Sequence, residues 1–189
     1  MRLFEAIVDA NHHLSPGELQ AKLKCADFTD ALPLAALTCI DPRLNRLLPN
    51  ALGVSEEDFI WLRNAGNIVT DVMSSTVRSI ALACAIKKAR EIAIIGHTDC
   101  RVASTNMMEL TNQLQALGVD RSRLPENLTQ YFGLFASERQ NVMKAVDLVR
   151  RSPAIGPKIP VHGAFIDIKT GHLDWVINGY QTSPSVISD

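Results

Sequence analysis

Two short stretches of the sequence carry side chains that could bind a metal ion. Cys39 opens the first stretch, residues 39–43, and His97 and Cys100 lie in the second, residues 96–100. Thiolate and imidazole ligands together favour Zn²⁺, which binds mixed sulfur and nitrogen donors in a tetrahedral site. Three protein ligands leave the fourth position open, as in a catalytic rather than a structural zinc site. We therefore predict a catalytic zinc ion held by Cys39, His97 and Cys100.

Each stretch follows an apolar run that is typical of a buried β-strand. Residues 34–40 lead into the first stretch and residues 92–95 lead into the second. Runs that are apolar at nearly every position indicate burial on both faces, and therefore a parallel sheet. Sites in such sheets form beyond the carboxyl ends of the strands, where both stretches would meet. Either motif alone occurs by chance, but the two together at the ends of two strands are a specific signal for zinc.

The rest of the chain alternates between predicted strands and helices. Further strands are predicted at 59–62, 161–168 and 173–177, and helices at 71–89, 104–117 and 135–151. This alternation predicts an α/β fold: a mostly parallel central sheet flanked by helices, with a C-terminal antiparallel strand or hairpin. The polar segment 119–131 is expected to be irregular. The 104–117 helix has apolar residues at helical spacing, which favours core packing over a soft-metal site; they are Met107, Leu110, Leu114 and Leu117.

We predict one domain overall, with an N-terminal helical arm at 1–30 and a zinc-binding α/β catalytic domain at 31–189. Within the arm, Ser15 and Pro16 form a typical helix start. A first helix at 3–12 carries apolar residues that must be buried on this subunit or on a neighbour; they include Leu3, Phe4, Ile7 and Val8.

The composition narrows the classes of partner and location. A net charge of −1 gives no reason to expect nucleic acid or an anionic membrane as a partner. No uncharged run reaches the roughly 20 residues that a membrane-spanning helix needs, and acidic residues interrupt the N-terminal segment where a signal peptide is apolar. We therefore expect a cytoplasmic protein. The remaining histidines lack ligand partners at useful spacing and are expected to be surface or packing residues; they are His12, His13, His162 and His172.

Three motifs in order, residues 39–43, 63–67 and 96–100, resemble those of the β-class carbonic anhydrases. The resemblance extends over most of the chain from about residue 34. It implies that Cys39, His97 and Cys100 bind zinc and that Asp41 and Arg43 form a catalytic dyad. It also implies a homodimer or higher homo-oligomer, with the N-terminal helices clasping the neighbouring subunit and the active site near that interface.

The resemblance implies reversible hydration of carbon dioxide to bicarbonate. Zinc lowers the pKa of bound water from about 15.7 toward 7, so zinc-bound hydroxide can attack carbon dioxide at neutral pH. Asp41 can accept a hydrogen bond from that hydroxide, and Arg43 can hold Asp41 away from the metal through a bidentate pair. If Arg43 releases it, Asp41 could become a fourth ligand that closes the site. We hypothesise a pH switch with less activity at lower pH.

One residue departs from the family pattern. Arg101 follows Cys100, where the family usually has glycine, and a side chain there restricts backbone approach. We assign Ala65, Gly66 and Arg101 to the substrate pocket. Two alternatives stay open: hydrolysis of carbonyl sulfide or carbon disulfide on the same zinc site, and a non-catalytic zinc- or anion-binding homologue.

Two further expectations concern the loops around the site. Arg63 and Asn67 are expected to support the loop beside it. Asp99 either fixes its own turn through backbone hydrogen bonds or supports a metal ligand.

Overall fold

A five-stranded sheet forms the centre of the computed structural model, which describes residues 1–14 and 20–181. The strands are β1 (Leu34–Cys39), β2 (Phe59–Asn64), β3 (Glu91–His97), β4 (Val161–Ile166) and β5 (Leu173–Ile177). Their order across the sheet is β2-β1-β3-β4-β5. The first four run parallel, and β5 pairs antiparallel with β4. The predicted mostly parallel sheet with a C-terminal antiparallel strand is thereby confirmed.

Helices cover both faces of this sheet. They are α1 (Leu3–His12), α2 (Leu44–Leu52), α3 (Ser75–Lys87), α4 (Arg101–Ser104), α5 (Met107–Ala116), α6 (Leu128–Phe132) and α7 (Glu138–Arg151). Leu34 and Ala36 of β1 belong to the core on the α1 and α2 face, whereas Ala35 and Leu37 belong to the core under α3 and α7. Successive strand side chains point to opposite faces, so covering both faces buries every residue of β1. This explains why the run is apolar at nearly every position.

The N-terminal helix packs on its own chain. The apolar side chains of α1 are at most 3% exposed at Leu3, Phe4, Ile7 and Val8. They join the core that contains β1 and α2, and α1 also contacts β5. Of the two places open for these side chains, this subunit or a neighbour, the structure shows burial on this subunit. A contact of the N-terminal helices with a neighbouring subunit stays a prediction. The second helix start, at Ser15 and Pro16, lies outside the described residues.

Two of the predicted segments between β3 and β4 differ from the structure. The expected 104–117 helix is found as α5 (Met107–Ala116), which starts later because the Asn106 side chain accepts a hydrogen bond from Glu109 N at 2.8 Å as its N-cap. The separate short helix α4 ends at Ser104. Every residue of α5 is at least partly exposed, so the expected core role of its apolar face is wrong within this chain. The 119–131 segment, expected to be irregular, contains a 3₁₀ turn at Arg121–Arg123 and the start of α6.

Within residues 1–14 and 20–181, the structure has no helix that is both long and apolar enough to cross a bilayer. A cytoplasmic location stays a prediction.

Candidate metal centre

The carboxyl ends of β1 and β3 bring the two predicted ligand stretches together. Thr38 of β1 lies beside Ile95 of β3. Because the two strands are adjacent and parallel, the residues that follow this pair lie together at the carboxyl edge of the sheet. Cys39 ends β1, His97 ends β3, and Cys100 follows immediately before α4. All three are buried, and one ligand atom of each lies within 4.8 Å of the others. The structure therefore assembles a Cys–His–Cys cluster from segments that are distant in sequence.

The imidazole of His97 is oriented with one nitrogen toward this cluster. Nδ1 lies 2.8 Å from the Thr98 carbonyl oxygen, and a carbonyl only accepts, so Nδ1 carries the proton. Nε2 is left with its lone pair, and within the described part of the chain it is buried without a hydrogen-bond partner. A buried unpaired polar atom costs roughly 1–3 kcal/mol. Metal-binding histidines commonly have this arrangement, with the second nitrogen fixed by a backbone carbonyl.

Backbone N–H groups surround the two thiols. The amide of Gly66 donates to Cys39 Sγ at 3.3 Å. The hydrogen bond from the Cys100 thiol is the largest influence on Cys39 and lowers the pKa of Cys39 to about 4. The same bond, followed by burial, raises the pKa of Cys100. The nearby amide of Asp41 also lowers the pKa of Cys39, and those of Val102 and Ala103 act to lower the pKa of Cys100. The pair is thus built to stabilise a thiolate, the form that binds a metal.

Arg43 holds two carboxylates beside the cluster. Its Nε lies 3.0 Å from Asp41 Oδ1 and its Nη2 2.7 Å from Asp41 Oδ2, which is a bidentate pair. The side-chain hydrogen bonds from Arg43 are the main reason that the pKa of Asp41 is lowered, to about 2. The other edge of the guanidinium donates to Asp99 Oδ2 at 2.6 Å and to the Asp99 carbonyl at 2.8 Å. The structure therefore has Asp41 paired with Arg43.

The geometry and donor chemistry of the cluster fit a divalent zinc-type ion. Two sulfurs and one imidazole nitrogen meet in a buried place, and the nitrogen has no other partner among the described residues. Such donors suit Zn²⁺. The sulfur and nitrogen groups could supply three ligands, and Asp41 stands beside them without being turned toward a metal.

Comparisons with known proteins identify the family. Residues 34–173 match the family model described as carbonic anhydrase. The crystal structure of a β-carbonic anhydrase, TvaCA1 from Trichomonas vaginalis, superposes with a TM-score of 0.74 at 26% identity and covers 94% of each chain. The chain belongs to the β-carbonic anhydrase family.

Two sequence relatives carry names that refer to different reactions. "Putative carbonic anhydrase YtiB" of Bacillus subtilis is 32% identical, over 96% of this chain and 100% of that protein. A carbon disulfide hydrolase of Acidithiobacillus thiooxidans is 30% identical, over 71% of this chain and 72% of that protein. Membership of the β-carbonic anhydrase family therefore leaves more than one substrate to consider.

Within this β-carbonic anhydrase fold, Arg63 braces the backbone of the first stretch. Its Nε donates to the Cys39 carbonyl at 2.9 Å and its Nη2 to the Asp41 carbonyl at 2.8 Å, while Nη1 contacts Asn45 Oδ1. The expectation that Arg63 supports the loop beside the site is confirmed. Asn67 is buried in the same loop, at 3% exposure, with a left-handed backbone conformation (φ 47°).

The three residues assigned to the substrate pocket lie around the cluster in different environments. Gly66 is buried, has φ 69°, and a Cβ there would meet Phe135 at 2.7 Å, so only glycine fits. Ala65 and Arg101 are exposed. Their role as pocket residues stays a prediction.

Two contacts near the cluster were not predicted from the sequence motifs. Asn141 of α7 donates to the Gly66 carbonyl at 2.9 Å and so holds the residue whose own N–H faces Cys39. Asp99 contacts Arg43 rather than a metal ligand, and its φ of 57° is a left-handed turn conformation. Neither partner could be read from spacing, although Asp99 stood out as a polar residue between two ligands.

Proposed function

We propose that this chain is a zinc-dependent carbonate dehydratase that hydrates carbon dioxide reversibly to bicarbonate. In this proposal Cys39, His97 and Cys100 hold the zinc, and Asp41 and Arg43 are the catalytic dyad. The observation that supports it most directly is the buried Nε2 of His97, which lacks a hydrogen-bond partner in the described chain and faces two thiols. The family match supports the reaction class.

Zinc held by these three residues would act as a Lewis acid and make a water molecule nucleophilic near neutral pH. The chain's own contribution is orientation. Asp41 is held in one rotamer by the bidentate pair with Arg43, and the lowered pKa of its carboxyl, due mainly to those hydrogen bonds, keeps it anionic. An anionic, fixed carboxylate accepts a proton in a hydrogen bond and aligns the donor toward a substrate. Arg43 prevents Asp41 from turning inward as a fourth ligand.

The experiment combines metal analysis with stopped-flow hydration of carbon dioxide. We expect about one zinc per chain and rapid hydration under alkaline conditions. Asp41→Asn should keep its zinc and lose roughly 10²-fold or more in hydration rate, the usual scale for a misplaced proton acceptor. Asp30→Asn, at an exposed position outside the centre, is the matched control. A protein that remains metal-free after reconstitution would sink the proposal, whereas zinc without alkaline hydration would favour the non-catalytic homologue.

A second candidate is hydrolysis of carbon disulfide or carbonyl sulfide on the same centre. The 30% identical carbon disulfide hydrolase is the observation that favours it. These substrates are linear and apolar, as carbon dioxide is, so Arg101 beside Cys100 is the residue at which selectivity should be tested. Rates for the three gases, measured on the native protein and on Arg101→Gly, separate the two activities.

We further propose a homodimer or a higher homo-oligomer. Partly exposed apolar surface supports this: Leu117 is 80% exposed just after α5, and Leu82 and Ile86 of α3 are 50% and 65% exposed. Leu82 and Ile86 lie four residues apart and therefore share one helix face. Light scattering of the purified protein measures the assembly directly.

A further inference from the structure

A second group of metal-binding side chains lies where α1 ends against the start of β5. His12 is the last residue of α1, His172 immediately precedes β5, and Asp174 is its second residue. One ligand atom from each lies within 4.8 Å of the others. None of the three takes part in the Cys–His–Cys centre. Sequence spacing indicated no partner for either histidine, because the segments that carry them are far apart in the chain.

The tautomer of His12 leaves one nitrogen available. Its Nε2 lies 2.8 Å from the Leu173 carbonyl oxygen, so Nε2 carries the proton and Nδ1 keeps its lone pair. A backbone carbonyl that fixes the protonated nitrogen is the usual support for a metal-binding histidine. The available imidazole nitrogen is thus of the type that binds a divalent transition metal.

His172 and Asp174 already stand at a spacing that one ion would accept. His172 Nε2 and Asp174 Oδ1 are 3.2 Å apart. Two ligands bound at about 2.1 Å to one ion, at tetrahedral or octahedral angles, lie about 3.0–3.4 Å apart. The other carboxylate oxygen of Asp174 is held by Arg139 at 2.9 Å, which orients Oδ1 toward the histidines.

The scaffold under this group is rigid. Asn11, next to His12, is 3% exposed. Its Nδ2 donates to the carbonyls of Ala51 and Gly171, and its Oδ1 accepts from Leu173 N at 2.8 Å. These bonds fix the end of α1 to the strand that carries Asp174. The two imidazole rings are stacked, with centroids 4.6 Å apart and planes at 14°, so the two histidines are direct neighbours on this scaffold.

We propose that His12, His172 and Asp174 form a second divalent-metal site that cross-links α1 to β5. Imidazole and carboxylate donors suit Zn²⁺, Ni²⁺ and Cu²⁺ rather than Ca²⁺ or Mg²⁺. The group is at the surface, which makes the site accessible from solvent. Its function would be structural: the ion joins the N-terminal helix to the last strand and stabilises their contact.

Nickel titration of the zinc-loaded, untagged protein tests this proposal. We expect one Ni²⁺ per chain by calorimetry, no release of zinc, and a higher Tm with nickel. His12→Ala and His172→Ala should each weaken nickel binding by at least roughly 10- to 100-fold, the range for losing only a group that supports a ligand, because each removes a proposed ligand itself. His13→Ala is the matched control, because His13 neighbours His12 and its side chain is 76% exposed.

Failure of this proposal can be distinguished from failure of the proposed zinc centre, because the two tests use different metals and substitute different residues. Far-UV circular dichroism without nickel checks that each variant folds. If His12→Ala does not fold, Asp174→Asn provides the test from the strand side. The proposal is overturned by the absence of saturable nickel binding, by nickel uptake matched to zinc release, or by an equal loss of affinity in His13→Ala.

Discussion

At the scale of single residues, Arg43 is an exposed side chain that binds two aspartates at once. Its guanidinium pairs with Asp41 along one edge and with Asp99 at Oδ2 and the carbonyl oxygen. The planar fork of arginine can satisfy two acceptors at fixed angles, whereas a lysine ammonium is a single point of charge on a flexible stem. Asp99 therefore acts as a positioning residue for Arg43, which in turn sets the rotamer of Asp41.

Arg43→Lys should lower carbon dioxide hydration roughly 10- to 100-fold, as expected when the support of a metal-site residue is lost, while zinc content stays unchanged. The measurement is stopped-flow hydration together with metal analysis. Arg46→Lys, at an exposed position of α2 three residues away, is the control. Asp99→Asn should have a smaller effect in the same direction. Equal rates for Arg43→Lys and Arg46→Lys would contradict the positioning role.

At the scale of elements, one buried polar group ties several of them together. His162 of β4 is fully buried; its Nε2 lies 3.3 Å from Glu91 Oε2 of β3, and its Nδ1 accepts from Gly179 N at 3.0 Å. Tyr180 donates to the same Glu91 oxygen at 2.6 Å, and Phe4 of α1 stacks on the imidazole at 4.7 Å. Because Nδ1 accepts, the imidazole fits this network in its neutral form.

The network predicts a pH-dependent stability. Burial is the main cause that lowers the pKa of His162, and it outweighs the opposing effect of Glu91. Below the ordinary histidine pKa of about 6.5 the unfolded chain binds a proton that the folded chain does not, so stability falls as pH drops through that value. The slope from this residue is at most about 1.4 kcal/mol per pH unit. Urea unfolding of the native protein and of His162→Gln, at pH 7.5 and 5.5, measures it. A native protein that loses no more stability than the variant would contradict the assignment.

At the scale of the whole molecule, the Cys–His–Cys centre joins the ends of two central strands. An ion bound only by the folded chain stabilises that chain by mass action, by about 2.7 kcal/mol at a concentration 100 times the dissociation constant. We therefore expect a chelator to lower the Tm of the native protein. Cys100→Ala should have a low Tm that no longer responds to zinc, whereas Cys84→Ala, a half-buried thiol of α3 outside the centre, should respond as the native protein does. Differential scanning calorimetry with and without zinc gives the comparison, and an unchanged zinc response in Cys100→Ala would exclude that thiol as a ligand.

Local sequence alone determined the mostly parallel sheet and the side-chain types of the Cys–His–Cys cluster. The runs at 34–40 and 92–95 are apolar at nearly every position, which indicated burial on both faces, and the ligand types stand at or just after their ends. The first run is buried from Leu34 to Cys39, whereas Ile40 is exposed. The ends of the helices between β3 and β4 were harder to predict from the sequence. A capping residue such as Asn106 starts a helix inside an otherwise continuous helical pattern.

Only the tertiary structure decided which distant polar groups meet. The contact of Asn141 with Gly66 depends on how α7 lies on the sheet, and the meeting of His12 with His172 depends on where α1 ends against β5. Such contacts follow from the packing of whole elements and leave no local spacing in the sequence. The same holds for α1, whose apolar face required burial but did not specify the surface that covers it. Burial is dictated residue by residue, whereas partner choice is dictated by the geometry of the assembled fold.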